Sequence, residues 1–540
     1  MSQATETAAP AASTARATHF GFEIGPTRRA ALATGAALAF ASGPLAANAA
    51  GAASAGGAGL EFASAFAAAQ AVRTGRVGAR ELTERMLARI GRYNPKLVAI
   101  VNVLSDQALA EASRVDADRG RRDRWGPLQG VPILIKDAFE IAGVPTTGGV
   151  KQLAQYRPST DSQVVRRLRA AGAIVLGNTN VPFVLNDWQS YNDIYGTTNN
   201  PWNLALTPGG SSGGSAAALA AGLGYFSPGS DRSGSLRVPA SFCGVYAHKP
   251  SLGVIPLQGW FPSPPPSSPS PSDLLSVAGP MGRSAADLRI GMQVMGGPGP
   301  EEAVAWRWAM PAPRRTRLRD YRVGYVLDDP ACPVDPPVRE RLEAAVAALG
   351  RAGVQLKHGW PPGIDAAAQQ RTYLYMMFAA LGGPPGVKAD DLRPLAAKDD
   401  GSMGSIFAQT MIDPIGRYVD HEREQLRARA AWQSAFRDLD VFLTPASFVA
   451  AFPHDHAEPL AARRLTTRAG PRAYTDLFFW IAPASLAGLP ATAAPAGLTR
   501  EGLPVGMQVL GPYLEDATPI DFAERAADVL GGFVPPPGFA

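Results

Sequence analysis

Residues Thr207–Pro250 read TPGGSSGGSAAALAAGLGYFSPGSDRSGSLRVPASFCGVYAHKP, and the rest of the chain is interpreted around them. The stretch holds a Gly/Ser run at Gly209–Ser215, an Ala-rich helical run behind it, and a second Gly/Ser turn at Gly229–Ser235. One helix and a short apolar segment, Leu219–Phe226, separate the two serine-bearing turns. They can therefore fold back on each other and bring Ser211 or Ser212 close to Ser233 or Ser235. Glycines permit positive φ there and let backbone N–H groups approach a bound group closely. A glycine-rich loop ahead of a helix also suits phosphate. No Lys-Ser/Thr follows these glycines, however, and the G-x-G-x-x-G spacing is missing, so the nucleotide-binding patterns fail. Taken alone, GSSGG reads as a loop without chemistry; the surrounding chain decides.

Upstream, Gly130-Val131-Pro132-Ile133-Leu134-Ile135 is a short apolar run with the character of a buried strand, and it ends in Lys136-Asp137. A lysine at such a point is ordinarily a surface residue or an ion-pair partner. If it is buried instead, desolvation lowers its pKa and leaves a neutral amine able to act as a base. Asp137 is a poor partner for it, because adjacent strand residues face opposite ways. Helical periodicity marks Ala79–Ile90 and Ser105–Arg119, and Asp161–Ala171 places Val164, Val165 and Leu168 on one face. Ala173–Leu176 follows as a strand. The loop text up to Asn203 carries Trp188, Tyr191, Tyr195 and Trp202, as pocket lining or as packing over the core. This alternation predicts an α/β domain with a parallel or mixed sheet.

The 540 residues suffice for two or three average domains or one large one, and 46% hydrophobic with 18% charged residues describes a globular chain with ample core. The net charge of +5 comes from scattered lysines and arginines, so no nucleic-acid surface is indicated. Two distant cysteines, Cys243 and Cys332, fit neither a disulfide framework nor a zinc site. Cys243 lies in the apolar run Ala240–Tyr246 and reads as a small buried hydrophobe. His454-Asp455-His456 lacks further ligands, and no metal site is expected. At the amino terminus, Thr27-Arg28-Arg29-Ala30-Ala31-Leu32 resembles a twin-arginine export signal and Ala47-Asn48-Ala49 offers a cleavage site. The expected division is an export segment at 1–49, a disordered Ala/Gly-rich segment at 50–60 and one domain at 61–540. The mature protein is expected in the periplasm or secreted, without stable membrane insertion.

With Lys136, Ser211 and Ser235 in view, the chain resembles the amidase signature family. Gly130–Asp137 matches its lysine strand, Gly209–Ser215 its first serine loop, and Gly229-Ser230-Asp231 to Ala240 its nucleophile loop. Similar text recurs in Gly279–Leu288, Gly488–Thr492 and Gly502–Gln508. The resemblance implies a single large α/β domain, with a mixed sheet covered by helices on both faces and no metal or organic cofactor. It implies Ser235 as nucleophile, Ser211 as bridging serine following a cis peptide bond, and Lys136 as base. Backbone N–H groups of Arg232, Ser233, Gly234 and Ser235 would form the oxyanion hole. Substrate contacts are expected from Gly209, Gly210, Asp187, Trp188 and Trp480. Trp260, Tyr474, Phe478 and Phe479 are further pocket aromatics that core packing explains equally well. The variable region, about 313–459, is the expected seat of specificity.

One departure stands out. Where the family has a small residue and then Gly, this chain has Arg232-Ser233. Ser233 resists strongly positive φ, so a strained loop is expected to gain activity from Ser233→Gly; Arg232 is expected to narrow the acyl site or attract an acidic substrate. The implied activity is hydrolysis of an aliphatic, aryl or peptide-terminal carboxamide by an acyl-enzyme route, in a monomer or homodimer. The alternatives are a binding protein with a decayed site and an amidotransferase A-like subunit.

Overall fold

Apolar runs of four to eight residues build the centre of this fold. The computed structural model describes residues 59–261, 274–382 and 387–539. The expected export segment, the Ala/Gly-rich residues up to 58 and the Pro/Ser-rich residues 262–273 lie outside them. Leu60 is already packed in the core, so the folded part begins ahead of Glu61.

Three strands come first: β1 (Ile100–Val103), β2 (Pro132–Lys136) and β3 (Ile174–Thr179). They form a small sheet in the order β1-β3-β2, with β2 parallel and β1 antiparallel to β3. Eight others build the large sheet: β4 (Ser227–Asp231), β5 (Tyr246–Lys249), β6 (Val277–Gly282), β7 (Arg322–Tyr325), β8 (Gln355–His358), β9 (Val441–Pro445), β10 (Ala491–Leu498) and β11 (Pro504–Leu510). These form a mixed sheet in the order β8-β7-β9-β11-β10-β5-β6-β4, parallel at β8/β7/β9 and antiparallel elsewhere. The edge at β4 meets β2: Leu134 N–H donates to the Phe226 carbonyl at 3.0 Å and Tyr225 N–H to that of Pro132 at 3.1 Å. That junction delivers the end of the lysine strand to the serine turns.

Successive strand residues point to opposite faces. In β2, β3, β6, β9 and β11 every residue is buried, so both faces of the sheet are covered. Helices supply the cover, giving one large α/β fold. Ser162 caps the helix Gln163–Ala170 by accepting from Val165 N–H. The run at Ser105 stays helical only to Ala117 and tightens into a 3-10 turn over Arg119–Arg124. The expected turn at Gly229–Ser235 divides in two. Its first half is strand β4, where a Cβ on Gly229 would lie 2.6 Å from Leu236 Cδ2; only Arg232–Leu236 turns. Cys243 and Cys332 are both buried and free. His248 is buried between Thr492 and Asp516, at 2.9 and 3.1 Å.

Candidate active site

Lys136 ends β2 and is completely buried. Its Nζ lies 2.8 Å from Ser211 Oγ, 2.8 Å from Ser212 Oγ and 2.9 Å from Ser230 Oγ. Burial lowers its pKa to about 7, with the nearby Asp231 carboxylate pulling the other way. A neutral amine offers two N–H donors and one lone pair, whereas an ammonium offers three donors; three hydroxyls can satisfy either form. Asp137 turns away from the lysine, as strand geometry requires. It accepts from Thr147 N–H at 2.9 Å and from the Thr147 hydroxyl at 2.5 Å, and burial raises its pKa to about 6 against those bonds.

The Gly/Ser run places Ser211 and Ser212 just ahead of helix α1 (Gly213–Ala220). The Gly210–Ser211 peptide is cis. A Cβ on Gly210 would sit 2.4 Å from the Asp187 carbonyl, so only glycine lets this turn lie against residues 187–189. Ser212 N–H donates to the Ser235 carbonyl at 3.2 Å, which ties the two serine turns together as the sequence suggested. The Ser212 hydroxyl is 3.4 Å from the Ser230 carbonyl, leaving its oxygen to accept from Lys136.

The second turn wraps around Asp231. Its buried carboxylate accepts from Gly234 N–H at 2.9 Å and Leu236 N–H at 3.1 Å, and binds Arg237 at 2.8 and 2.9 Å. Arg237 opens helix α2 (Arg237–Cys243). Its other donors reach Gln508 Oε1, the Ile481 carbonyl and Ser485 Oγ, so all five guanidinium protons are matched. Burial opposes the charge on Asp231, yet Arg237 holds the carboxyl below its usual range. Gly234 takes φ +83. Because its N–H is committed to Asp231, Gly234 drops out of the expected oxyanion set. Among the described residues the N–H groups of Ser233 and Ser235 find no acceptor.

Ser233 and Ser235 border a cavity of about 290 Å³. Most of its wall is apolar: Trp188, Met377, Phe378, Leu381, Met403 and Phe478. Phe378 and its neighbours belong to helix α3 (Ala366–Leu381), and Phe478 opens helix α4 (Phe478–Leu486). The variable region thus contributes much of the wall. Trp188 packs edge-on against Phe478 and donates Nε1–H to the Ser233 carbonyl at 2.7 Å. Asp187 also borders the cavity, but its carboxylate is bound by Arg463 Nη1 at 2.6 Å and by the Tyr474 hydroxyl. Arg463 is wholly buried and also grips Glu458 and Tyr191.

Four expectations need correction. Trp480 does not line the cavity; it is 2% exposed and stacked on Trp360 in the core. Gly209 and Gly210 lie beneath the wall, packed against Pro239 and Asp187. Arg232 neither narrows the cavity nor lines it, since its Nε donates to Ser276 Oγ at 2.8 Å. Ser233 is not strained, because the positive φ of the turn falls on Gly234. Sequence reasoning misses Ser230, Tyr373 and the Asp231–Arg237 pair. The pair lies six residues apart in one motif and is in principle visible there. Tyr373 is 140 residues from Ser233 and leaves no local signal.

A strand-end lysine buried beneath two interlocked serine turns marks a hydrolytic or transfer site for acyl groups. The family described as Amidase matches residues 81–519, and the chain belongs to that family, the amidase signature enzymes. It is 33% identical over 490 residues to the A subunit of glutamyl-tRNA(Gln) amidotransferase from Synechococcus sp. (strain CC9605), covering 85% of this chain and 95% of that one. The solved structure of 6-aminohexanoate cyclic dimer hydrolase with its substrate superposes with a TM-score of 0.70 at 25% identity, over 89% and 99% of the two chains. The corresponding A subunit of glutamyl-tRNA(Gln) amidotransferase from Thermotoga maritima gives 0.65 at 25% identity, over 85% and 94%.

Proposed function

We propose that this chain hydrolyses a neutral carboxamide bearing an apolar alkyl or aryl group, through an acyl-enzyme on Ser235. The observation that carries this reading is the fully buried Lys136 with Nζ on the Ser211 hydroxyl. A serine hydroxyl is a weak nucleophile until a base takes its proton. Neutral Lys136 takes the proton of Ser211, Ser211 takes that of Ser235, and Ser235 Oγ bonds to the amide carbon. The carbonyl oxygen becomes an oxyanion facing the N–H groups of Ser233 and Ser235, donors each worth roughly 2.7–4 kcal/mol of barrier. As the intermediate collapses, the C–N bond breaks and the proton held by Lys136 returns through Ser211 to the departing nitrogen. Water then adds to the Ser235 ester by the same relay, releasing the carboxylate and restoring the serine.

The apolar wall supports a hydrophobic substituent, and the pairing of Asp187 with Arg463 leaves that wall without net charge. The curated relatives favour a second reading more directly: an amidotransferase A-like subunit that takes amide nitrogen from a donor and works with partner subunits. Both readings share the acyl-enzyme and differ in substrate. Ammonia release separates them, measured with hexanamide and benzamide against glutamine on the isolated full chain. The hydrolase reading expects turnover of the neutral amides at least tenfold above glutamine. Preference for glutamine, or turnover only with added partner subunits, would replace it with the second. Export through the amino-terminal Thr27–Leu32 motif, with cleavage near Ala49, is part of the first reading.

A further inference from the structure

The residue ahead of Gly234 is a serine in this chain, and it is gripped from outside the turn. Tyr373 on α3 is fully buried, with its hydroxyl 3.1 Å from the Arg232 carbonyl and 2.8 Å from Ser233 Oγ. Ser233 Oγ also lies 3.4 Å from Met377 Sδ, one helical turn further along α3. A phenol has a single proton. When it goes to the Arg232 carbonyl, Tyr373 accepts from the Ser233 hydroxyl; when it goes to Ser233, that hydroxyl turns to the Met377 sulfur. Neither the buried Tyr373 hydroxyl nor the half-buried Ser233 hydroxyl is stranded in either arrangement.

The Arg232 carbonyl and the Ser233 N–H belong to one peptide plane and, in the trans form, point in opposite directions. A donor fixed on that carbonyl therefore sets where the Ser233 N–H points. The next plane is fixed as well: Trp188 holds the Ser233 carbonyl, and Asp231 holds the Gly234 N–H. We propose that Tyr373 is a positioning residue for the oxyanion loop, aiming the Ser233 N–H through the Arg232 carbonyl. Because α3 also turns Met377, Phe378 and Leu381 into the cavity, the element that receives the apolar group is the one that orients the loop. This rests on the acyl-enzyme reading above.

The test compares the full-length wild type, Tyr373→Phe, Ser233→Gly and the double variant in steady-state hydrolysis of a neutral apolar amide, with fluorophosphonate labelling of Ser235 alongside. Tyr373→Phe should lower kcat about tenfold, less than the loss of a whole oxyanion donor, while KM shifts less than twofold. The same tenfold drop should separate the double variant from Ser233→Gly. In that background no Ser233 hydroxyl loses a partner, so the drop reports the Arg232 carbonyl contact alone, with urea denaturation showing that both variants stay folded under assay conditions. An unchanged kcat, a change in KM alone, or a Tyr373→Phe effect that vanishes in the Ser233→Gly background would overturn the proposal. Loss of labelling in the wild type itself would instead remove the acyl-enzyme reading, and the role of Tyr373 with it.

Discussion

Burial of Lys136 makes the activity rise with pH through the neutral range. An exposed lysine titrates near 10.5, and here desolvation brings the group to about 7 despite the opposing pull of Asp231. Only the neutral amine can accept the relay proton. The reacting fraction is therefore small below that value, one half at it and near unity above. With a midpoint of about 7, the neutral fraction rises about thirtyfold between pH 5.5 and 8.5, climbing tenfold per unit at the acid end and flattening above the midpoint. The assay is kcat/KM for a neutral amide across that range, which reports the free enzyme, with the rate of fluorophosphonate labelling measured in parallel. Both profiles should rise once and level off near the same pH. The sign is fixed: a cationic base depressed by burial gains activity as pH rises. A profile still climbing tenfold per unit beyond pH 9 would mean that Lys136 keeps its ordinary affinity for protons. A profile that falls across this range would mean that the reaction uses the ammonium. Either result would show that neutral Lys136 is not the base.

Other consequences follow from the packing around the turn. Asp231→Asn leaves the Arg237 guanidinium buried without its counter-charge; it should lower unfolding free energy by about 3–5 kcal/mol at neutral pH, measured by urea denaturation. Arg463→Leu leaves Asp187 as an unpaired carboxylate in the cavity wall. The ratio of kcat/KM for a cationic amide such as lysinamide over hexanamide should rise at least tenfold, and a constant ratio would show that Asp187 does not face the substrate. Export by the twin-arginine route predicts that protein from its native host begins near Ala50, as read by amino-terminal sequencing; an intact Met1 would dispose of it.

The part of the site that is local in sequence was legible. Gly130–Asp137 reads as a buried strand ending in lysine, and two serine turns able to meet are legible in Gly209–Ser215 and Gly229–Ser235, although Gly229–Asp231 proves to be strand. Strand periodicity correctly turned Asp137 away from Lys136. Pairing across long separations was hidden. Tyr373 reaches Ser233 from a helix whose own sequence gives no sign of it, and Arg463 reaches Asp187 across 276 residues. Composition also misled at Trp480: a tryptophan near the carboxyl-terminal motifs suits a pocket or a core equally, and only the stacking on Trp360 decides. The positive φ that the turn requires does not fall on Ser233. Gly234 takes it, where a Cβ would meet Ile481 Cγ2 at 2.9 Å.

Whether Ser235 is the nucleophile is read most directly from the intact mass of the protein after fluorophosphonate treatment, with peptide mapping and with Ser235→Ala and Lys136→Ala in parallel. A Lys136-activated Ser235 gives a single adduct on Ser235 in the wild type, none in Ser235→Ala, and labelling slowed at least a hundredfold in Lys136→Ala. An adduct on Ser211 or Ser212, or a folded wild type that takes up no probe, would contradict it.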